Sequence, residues 1–401
     1  MYSTLRGLFC AFSLCLIQAS VSADDWLAWR GNSHNGVVSE TNVSLKWAGK
    51  EPQPLWKVNI GKSYSTVVVK EDRVYTMGNQ DNKSDVVYCF DVKSGSLIWQ
   101  YSYSHPLRKQ SADPNPTATT ATPVLDGDRV YTISREGFAV CLDTKKGKFL
   151  WSRELHKEGI YKDAALGYAG SPLVQGDKVY YNIGNNGIAL DKITGNVIWK
   201  SKDGQAGHAT PVPFKLDKQN GIAFANGGGV AGADAQTGKL LWQHKWKTEF
   251  DINAADPIIL EDGFFITAYG RAQRVRIAGN QTSVVYECKQ LQTSFVSPVK
   301  IGNYLYGNGK GRLVCMNLQN GQATWDMLGL GSGALIANGN RLIVLLESGE
   351  VLIINANPQK CEVLTRGKVM EGNCWMQPIL ANGNLYCRNV DGELVCLEVN
   401  K

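Results

Sequence analysis

The chain has 401 residues, 43% hydrophobic and 19% charged, with a formal net charge of +6. Basic and acidic residues are interleaved without a long run of either sign, which argues against nucleic-acid binding and for a mixed, solvated surface. Beyond the N-terminus no apolar run approaches the length needed to cross a bilayer.

Residues 1–23 carry Arg6, an apolar stretch LFCAFSLCLI and a small-x-small VSA before Asp24. This pattern predicts a secretory signal peptide cleaved near Ala23 and a soluble periplasmic or secreted chain. Neither Cys10 nor Cys15 follows the small residue that a lipoprotein site requires. Residues 24–53 are read as an N-terminal extension and 54–401 as one domain.

From residue 54 onward a repeat dominates. Five copies share one spacing, an acid or amide, glycine four residues on and tryptophan four beyond: Asp91/Gly95/Trp99, Asp143/Gly147/Trp151, Asp191/Gly195/Trp199, Asp234/Gly238/Trp242 and Asn317/Gly321/Trp325. Alternating apolar residues on either side of Asp-x-x-x-Gly predict a hairpin, with glycine supplying the positive φ of the turn. A second hairpin precedes each copy, as in TPVLDGDRVYTIS at 122–134, so each repeat is four short antiparallel strands.

With Tyr286 standing for the tryptophan of a degenerate copy, the positions 56, 99, 151, 199, 242, 286 and 325 lie 39 to 52 residues apart. A period of about 45 residues with four strands per unit is that of a propeller blade. Inner strands open near Tyr64, Pro123, Pro172, Pro211, Pro257, Pro298, Ala334 and Pro378, and outer strands end near Trp56, Trp99, Trp151, Trp199, Trp242, Tyr286, Trp325 and Leu364. The fold class is therefore all-β, an eight-bladed propeller in which the N-terminal strand PLWKVNI completes the last blade and removes the exposed sheet edge. Trp56, Trp99, Trp151, Trp199, Trp242 and Trp325 are expected to be structural, docking one blade on the next, and the protein is expected to be a monomer.

Eight of the ten cysteines remain outside the signal segment. Cys89, Cys141, Cys315 and Cys396 occupy one repeat position that holds Ala189 or Gly232 in other blades, which marks a small buried packing site. Cys288, Cys361, Cys374 and Cys387 are left as candidates for one or two disulfides whose pairing the sequence leaves open.

Turns between the first and second and between the third and fourth strands are short, so the opposite face, with its long and variable connections, is where a site is expected. Residues just before each inner strand should line the channel mouth there. Tyr168, His208, Asp256 and Trp375 combine aromatic surface with titratable groups, and Arg135, Lys310 and Arg388 come from the neighbouring turns. Such a ring suits a protein, peptide or glycan ligand. The five histidines show no metal-ligand spacing, and no metal site is expected. GNGKG at 307–311 lacks the spacing of a phosphate loop and reads as a hairpin turn.

The tryptophan-docked repeats resemble those of the quinoprotein-like eight-bladed β-propellers over nearly the whole mature chain. The segments DDWLAWRGNSHNGVVSE and NCWMQPILANGNLYCRNVDGELVCLEV are similar to a secreted branch common in planctomycete bacteria, and the repeat is shared with the outer-membrane assembly propeller subunit and with quinone-dependent alcohol dehydrogenases. The dehydrogenase resemblance implies adjacent cysteines over the quinone and a Glu/Asn/Asp calcium set. No two cysteines are adjacent in this chain. The expectation is therefore a binding or scaffolding module without bound quinone. The alternative is an oxidoreductase using pyrroloquinoline quinone (PQQ) with calcium, or another extracytoplasmic enzyme working in the propeller mouth.

Overall fold

Short apolar strands separated by glycine turns arrange themselves, in the computed structural model, as eight four-stranded antiparallel sheets around a central channel. The structure describes residues 25–41, 43–47, 51–80, 83–104, 117–162, 166–216, 219–248, 251–293 and 295–399. The predicted signal segment, its cleavage point and His105 lie outside the described residues.

Blades 1 to 7 open with the first strands Val68–Lys70, Val124–Asp126, Leu173–Gln175, Val212–Leu216, Ile258–Leu260, Val299–Ile301 and Gly333–Asn338. Blade 8 takes Ile379–Ala381, Asn384–Arg388 and Glu393–Glu398 from the C-terminus and Pro54–Asn59 from the N-terminus, with Trp56 opposite Cys396. The ring is closed by the two ends of the chain.

The repeat spacing has a packing cause. In blade 1 Tyr75, Cys89 and Trp99 lie abreast on the second, third and fourth strands, and the Tyr75 and Trp99 rings meet across the cysteine at 5.9 Å. Blades 2, 6 and 8 repeat this with Tyr131/Cys141/Trp151, Tyr306/Cys315/Trp325 and Tyr386/Cys396/Trp56. The middle residue must be small because the indole folds over it: a Cβ on Gly232 would sit 2.1 Å from the Trp242 ring. All eight described cysteines are free thiols, which includes Cys288, Cys361, Cys374 and Cys387. Burial pushes the thiols of Cys89, Cys141 and Cys396 up to about 12.

Each indole then reaches the next blade. Trp56, Trp99, Trp151 and Trp199 donate Nε1–H to the carbonyls of Val92, Thr144, Lys192 and Ala235, at 2.7, 2.9, 3.2 and 3.1 Å. Tyr286 does the same through its hydroxyl to Leu318 (2.6 Å) and Trp325 through its indole to Asn357 (2.7 Å). The turn glycine of the receiving blade lies flat under the ring, and a Cβ on Gly95 would approach Trp56 to 2.7 Å. Trp242 differs: it stacks on Phe264 at 5.5 Å, and its Nε1 is buried without a partner.

Blade 7 carries Thr365 at the tryptophan position, for a reason set by closure. Its neighbour, blade 8, draws its third and fourth strands from opposite chain ends and has no turn there to receive an indole. Pro52 and Trp47 lie against Gly367 in that place.

Residues 25–40 cross the channel. Trp26 pairs with Val69 of blade 1, Leu27 accepts from Leu125 of blade 2, and Val37–Val38 run parallel to Ala337–Asn338 of blade 7. The Glu40 carboxylate accepts from the backbone of Asn382 (2.6 Å) and Gly383 (3.3 Å) in blade 8. Between these ends Trp29 and Arg30 reach Asp256 and Ser297 of blades 5 and 6, across the ring from blades 1 and 2, so the segment runs through its centre.

Candidate binding site at the channel mouth

Residues two positions before the inner strands form a girdle around the mouth. The backbone N–H of Thr66 donates to Thr122 Oγ1 (3.0 Å), Thr122 to Ser171 Oγ (2.9 Å), Ser171 to Thr210 Oγ1 (3.0 Å), Thr210 to Asp256 Oδ1 (2.8 Å) and Asp256 to Ser297 Oγ (2.8 Å). Thr66 Oγ1 donates to the carbonyl of Gln377 (3.0 Å), whose side-chain amide donates to the Leu335 carbonyl (2.8 Å). Backbone groups at the ends of short inner strands would otherwise be buried unpaired, and this chain of side-chain oxygens satisfies them. In blade 7, whose first strand begins earlier, the residue at the same level of the strand pairing is Ala334, which has no oxygen to offer, so the girdle is open between blades 6 and 7.

Above the girdle lies a cavity of 620 Å³ lined from every side of the ring, within the 300–1,000 Å³ typical of small-ligand sites. The channel-crossing segment supplies its floor. Trp29 lines the cavity and donates its indole N–H to Asp256 Oδ2 at 2.8 Å. Arg30, buried beside it, lies 3.8 Å from the same oxygen and donates to the carbonyls of Ser297 and Pro298 at 3.0 and 2.9 Å. Burial raises the Asp256 carboxyl above its usual range against the opposing pull of Arg30.

Aromatic rings dominate the rim. Trp375 stacks on Tyr64 with centroids 6.0 Å apart and planes 8° apart, and its indole N–H is fixed on Glu347 Oε1 at 2.7 Å. Across the cup the Lys310 ammonium sits 4.4 Å over the Tyr269 ring. Tyr269 and Phe295, each 64% exposed, both line the cavity and add apolar surface to its rim.

Of the seven residues expected at the mouth, Arg135, His208, Asp256, Lys310 and Trp375 line the cavity, and Tyr168 and Arg388 do not. Arg135 lines it while tying down the neighbouring connection, through Nη2 to the carbonyl of Leu166 at 2.9 Å. His208 is buried, with its backbone N–H on the Asn253 carbonyl at 2.9 Å. Tyr168 is buried beneath the rim, its ring against Gly137. Arg388 lies between blades 8 and 1, donating to Thr76 Oγ1 (3.2 Å) and the Met77 carbonyl (3.1 Å). It stands two residues after Tyr386 and so shares that ring's inter-blade face; burial lowers its pKa to about 9.

Trp29, Tyr64 and Tyr269 also line the cavity and are not among the residues that the sequence marks as ligand-facing. Trp29 belongs to no repeat, so periodicity carried no signal for it, whereas Tyr64 occupies the mouth-lining position of blade 1 and was legible by alignment of the blades. Among the described residues no group of three or more His, Cys, Asp or Glu is placed to hold a metal ion.

The family described as outer membrane protein assembly factor BamB matches residues 83–327. The chain belongs to that family. It is 30% identical over 112 residues to the outer membrane protein assembly factor BamB of Kangiella koreensis, covering 27% of this chain and 26% of that protein. It is 25% identical over 239 residues to the polyvinylalcohol dehydrogenase of a Sphingopyxis strain, covering 52% of this chain and 32% of that enzyme. The matched regions thus span about a quarter and a third of these relatives. The crystal structure of BamB from Moraxella catarrhalis shares the fold, with a TM-score of 0.62 at 18% identity over 86% of this chain and 97% of that one.

Proposed function

We propose that this chain is an exported binding propeller that takes a segment of a partner protein into the mouth cup. The observation that carries the reading is the floored, aromatic-rimmed cavity of 620 Å³ on the face of the variable connections. Rings fixed in place by Glu347, Lys310 and Asp256 lose little freedom when a ligand covers them, which favours binding. The family's description as an outer-membrane assembly factor fits a protein ligand and a location beyond the inner membrane. No helix among the described residues is long and apolar enough to cross a membrane.

The polyvinylalcohol dehydrogenase relative raises the enzyme alternative, but the residues of this cup do not match a quinone and calcium centre. Both Asp256 oxygens are committed, one to the Thr210 N–H and the other to the Trp29 indole beside Arg30. Glu347 Oε1 holds the Trp375 indole, and the chain has no adjacent cysteines to lie over a quinone. We therefore read the cup as a recognition site without quinone.

One comparison tests both points: a mass-spectrometric inventory of what co-purifies with the wild-type protein and with Trp375→Ala. The expected result is a discrete protein species with the wild type, reduced about tenfold or more in the variant as for a central aromatic anchor, and no quinone in the small-molecule fraction. Equal recovery with both proteins, or stoichiometric quinone, would contradict the reading.

A further inference from the structure

We propose that the crevice between blades 6 and 7 is the part of the cup that reads its ligand, with the Asn308 carboxamide pairing with a secondary amide of an extended peptide and Lys310 with a carboxylate on the same chain. The proposal rests on the cup being the binding site and goes on to name what enters it. At this point the girdle is open, because Ala334 offers no side-chain oxygen, and Ser332 and Gly333 line the cavity beside the gap.

Asn308 lines the same cavity from the blade 6 side. It is only 4% exposed, and Nδ2 and Oδ1 are both closed to water and without a partner, so a ligand reaches them only by entering between the two blades. Blade 3 shows what this position does when it is structural. Asn182 likewise stands two residues after the second-strand tyrosine, and it donates to the carbonyls of Ala209 (2.9 Å) and Ala225 (2.8 Å) in the next blade. Asn308 has no such bridge.

Buried orphan polar atoms are costly, and a native protein keeps them where a ligand or water supplies the missing bonds. A carboxamide with a free donor and a free acceptor is complementary to a group that offers one of each, as the –CO–NH– of a peptide does. Two residues on, Lys310 has positive φ of 52°, and its ammonium lies over Tyr269 with no carboxylate partner among the described residues. Tyr269 and Phe295 provide exposed apolar surface beside it. Amide, carboxylate and apolar side chain in sequence describe a peptide rather than an acetamido sugar. The GNGKG turn, which lacks the form of a phosphate loop, gains a role on these grounds.

The test is fluorescence polarisation with a labelled flexible peptide ending in Phe-Asp-Phe. Its backbone-N-methylated form serves as a second probe and an N-acetylglucosamine trimer as a competitor. Wild-type protein is expected to bind the peptide. Asn308→Ala should weaken binding about tenfold, Lys310→Gln should weaken it and flatten its salt dependence, and N-methylation should weaken it for wild type but add little for Asn308→Ala. Asn308→Ala should melt no lower than wild type, since it removes an unpaired polar group, whereas Asn182→Ala should melt lower. The proposal is overturned if wild type does not bind the peptide, if Asn308→Ala binds it equally, if the sugar displaces it, or if a crystal structure of the complex holds only ordered water in the crevice. Loss of peptide binding in Trp375→Ala with full retention in Asn308→Ala would sink the crevice and leave the cup standing.

Discussion

Glycine at position 147 is required twice over. Its φ is +66° and a Cβ there would sit 2.4 Å from the Trp99 ring, whereas Gly127, with φ +58°, has open space around it. Alanine at Gly127 should therefore cost only the left-handed backbone penalty, about 1 kcal/mol. Alanine at Gly147 adds overpacking against the docked indole and should cost about 3 kcal/mol. Urea unfolding of the two variants reads the difference, and equal losses would mean that the indole does not rest on the turn. Within the same turns, Asp91 is held below its usual range chiefly by the Ser94 hydroxyl and Asp191 by the Thr194 N–H; for Asp234, bonds from Thr237 outweigh burial. A carboxyl depressed in the folded state stabilises it above the unfolded pKa of about 4, and that contribution is lost as pH falls through the folded values. The melting temperature of the triple Asp→Asn variant should lie below that of wild type at pH 6 and converge with it below about pH 3; a gap that persists in acid would contradict this.

The strand Pro54–Asn59 is separated from its partner Glu393–Glu398 by almost the whole chain, yet it makes the same ladder and the same indole contact as any local fourth strand. Trp56→Ala should accordingly destabilise the protein by about 3–5 kcal/mol, as much as Trp99→Ala, because each empties a buried aromatic site. A loss below 1 kcal/mol for Trp56→Ala alone would mean that the closing strand is dispensable. Blades and closure were legible because spacing and strand pattern repeat: Asp-x-x-x-Gly-x-x-x-Trp encodes a turn, a seat for the preceding indole and the next indole together. What breaks the repeat was not legible. Thr365 is explained only by the missing turn in blade 8, and residues 25–40 fit no period because their partners are inner strands drawn from around the ring. Position before an inner strand led to His208, Asp256 and Trp375, and the neighbouring turns to Arg135 and Lys310, all of which line the cavity, while Arg388 shows that a turn-proximal charge can face a blade interface when strand alternation directs it there.

At the scale of the whole molecule, eight blades turn a set of separately unremarkable loops into one converging surface, and the chain's own N-terminal segment closes the channel beneath it through Trp29 and Arg30. The two faces are consequently unequal, one made of short turns and the other a cup rimmed with Trp375, Tyr269 and Phe295. The outer strands also carry exposed apolar residues, Leu97 and Ile198 among them, and offer the competing place for a partner to dock. Photo-crosslinking from a benzophenone side chain placed at Phe295, compared with one at Leu97 or Ile198, decides between the two surfaces. The partner recovered with the wild-type protein should be captured from position 295 and lost when Trp375→Ala is added. Capture from the outer strands alone, indifferent to Trp375, would contradict the assignment of the cup as the binding site.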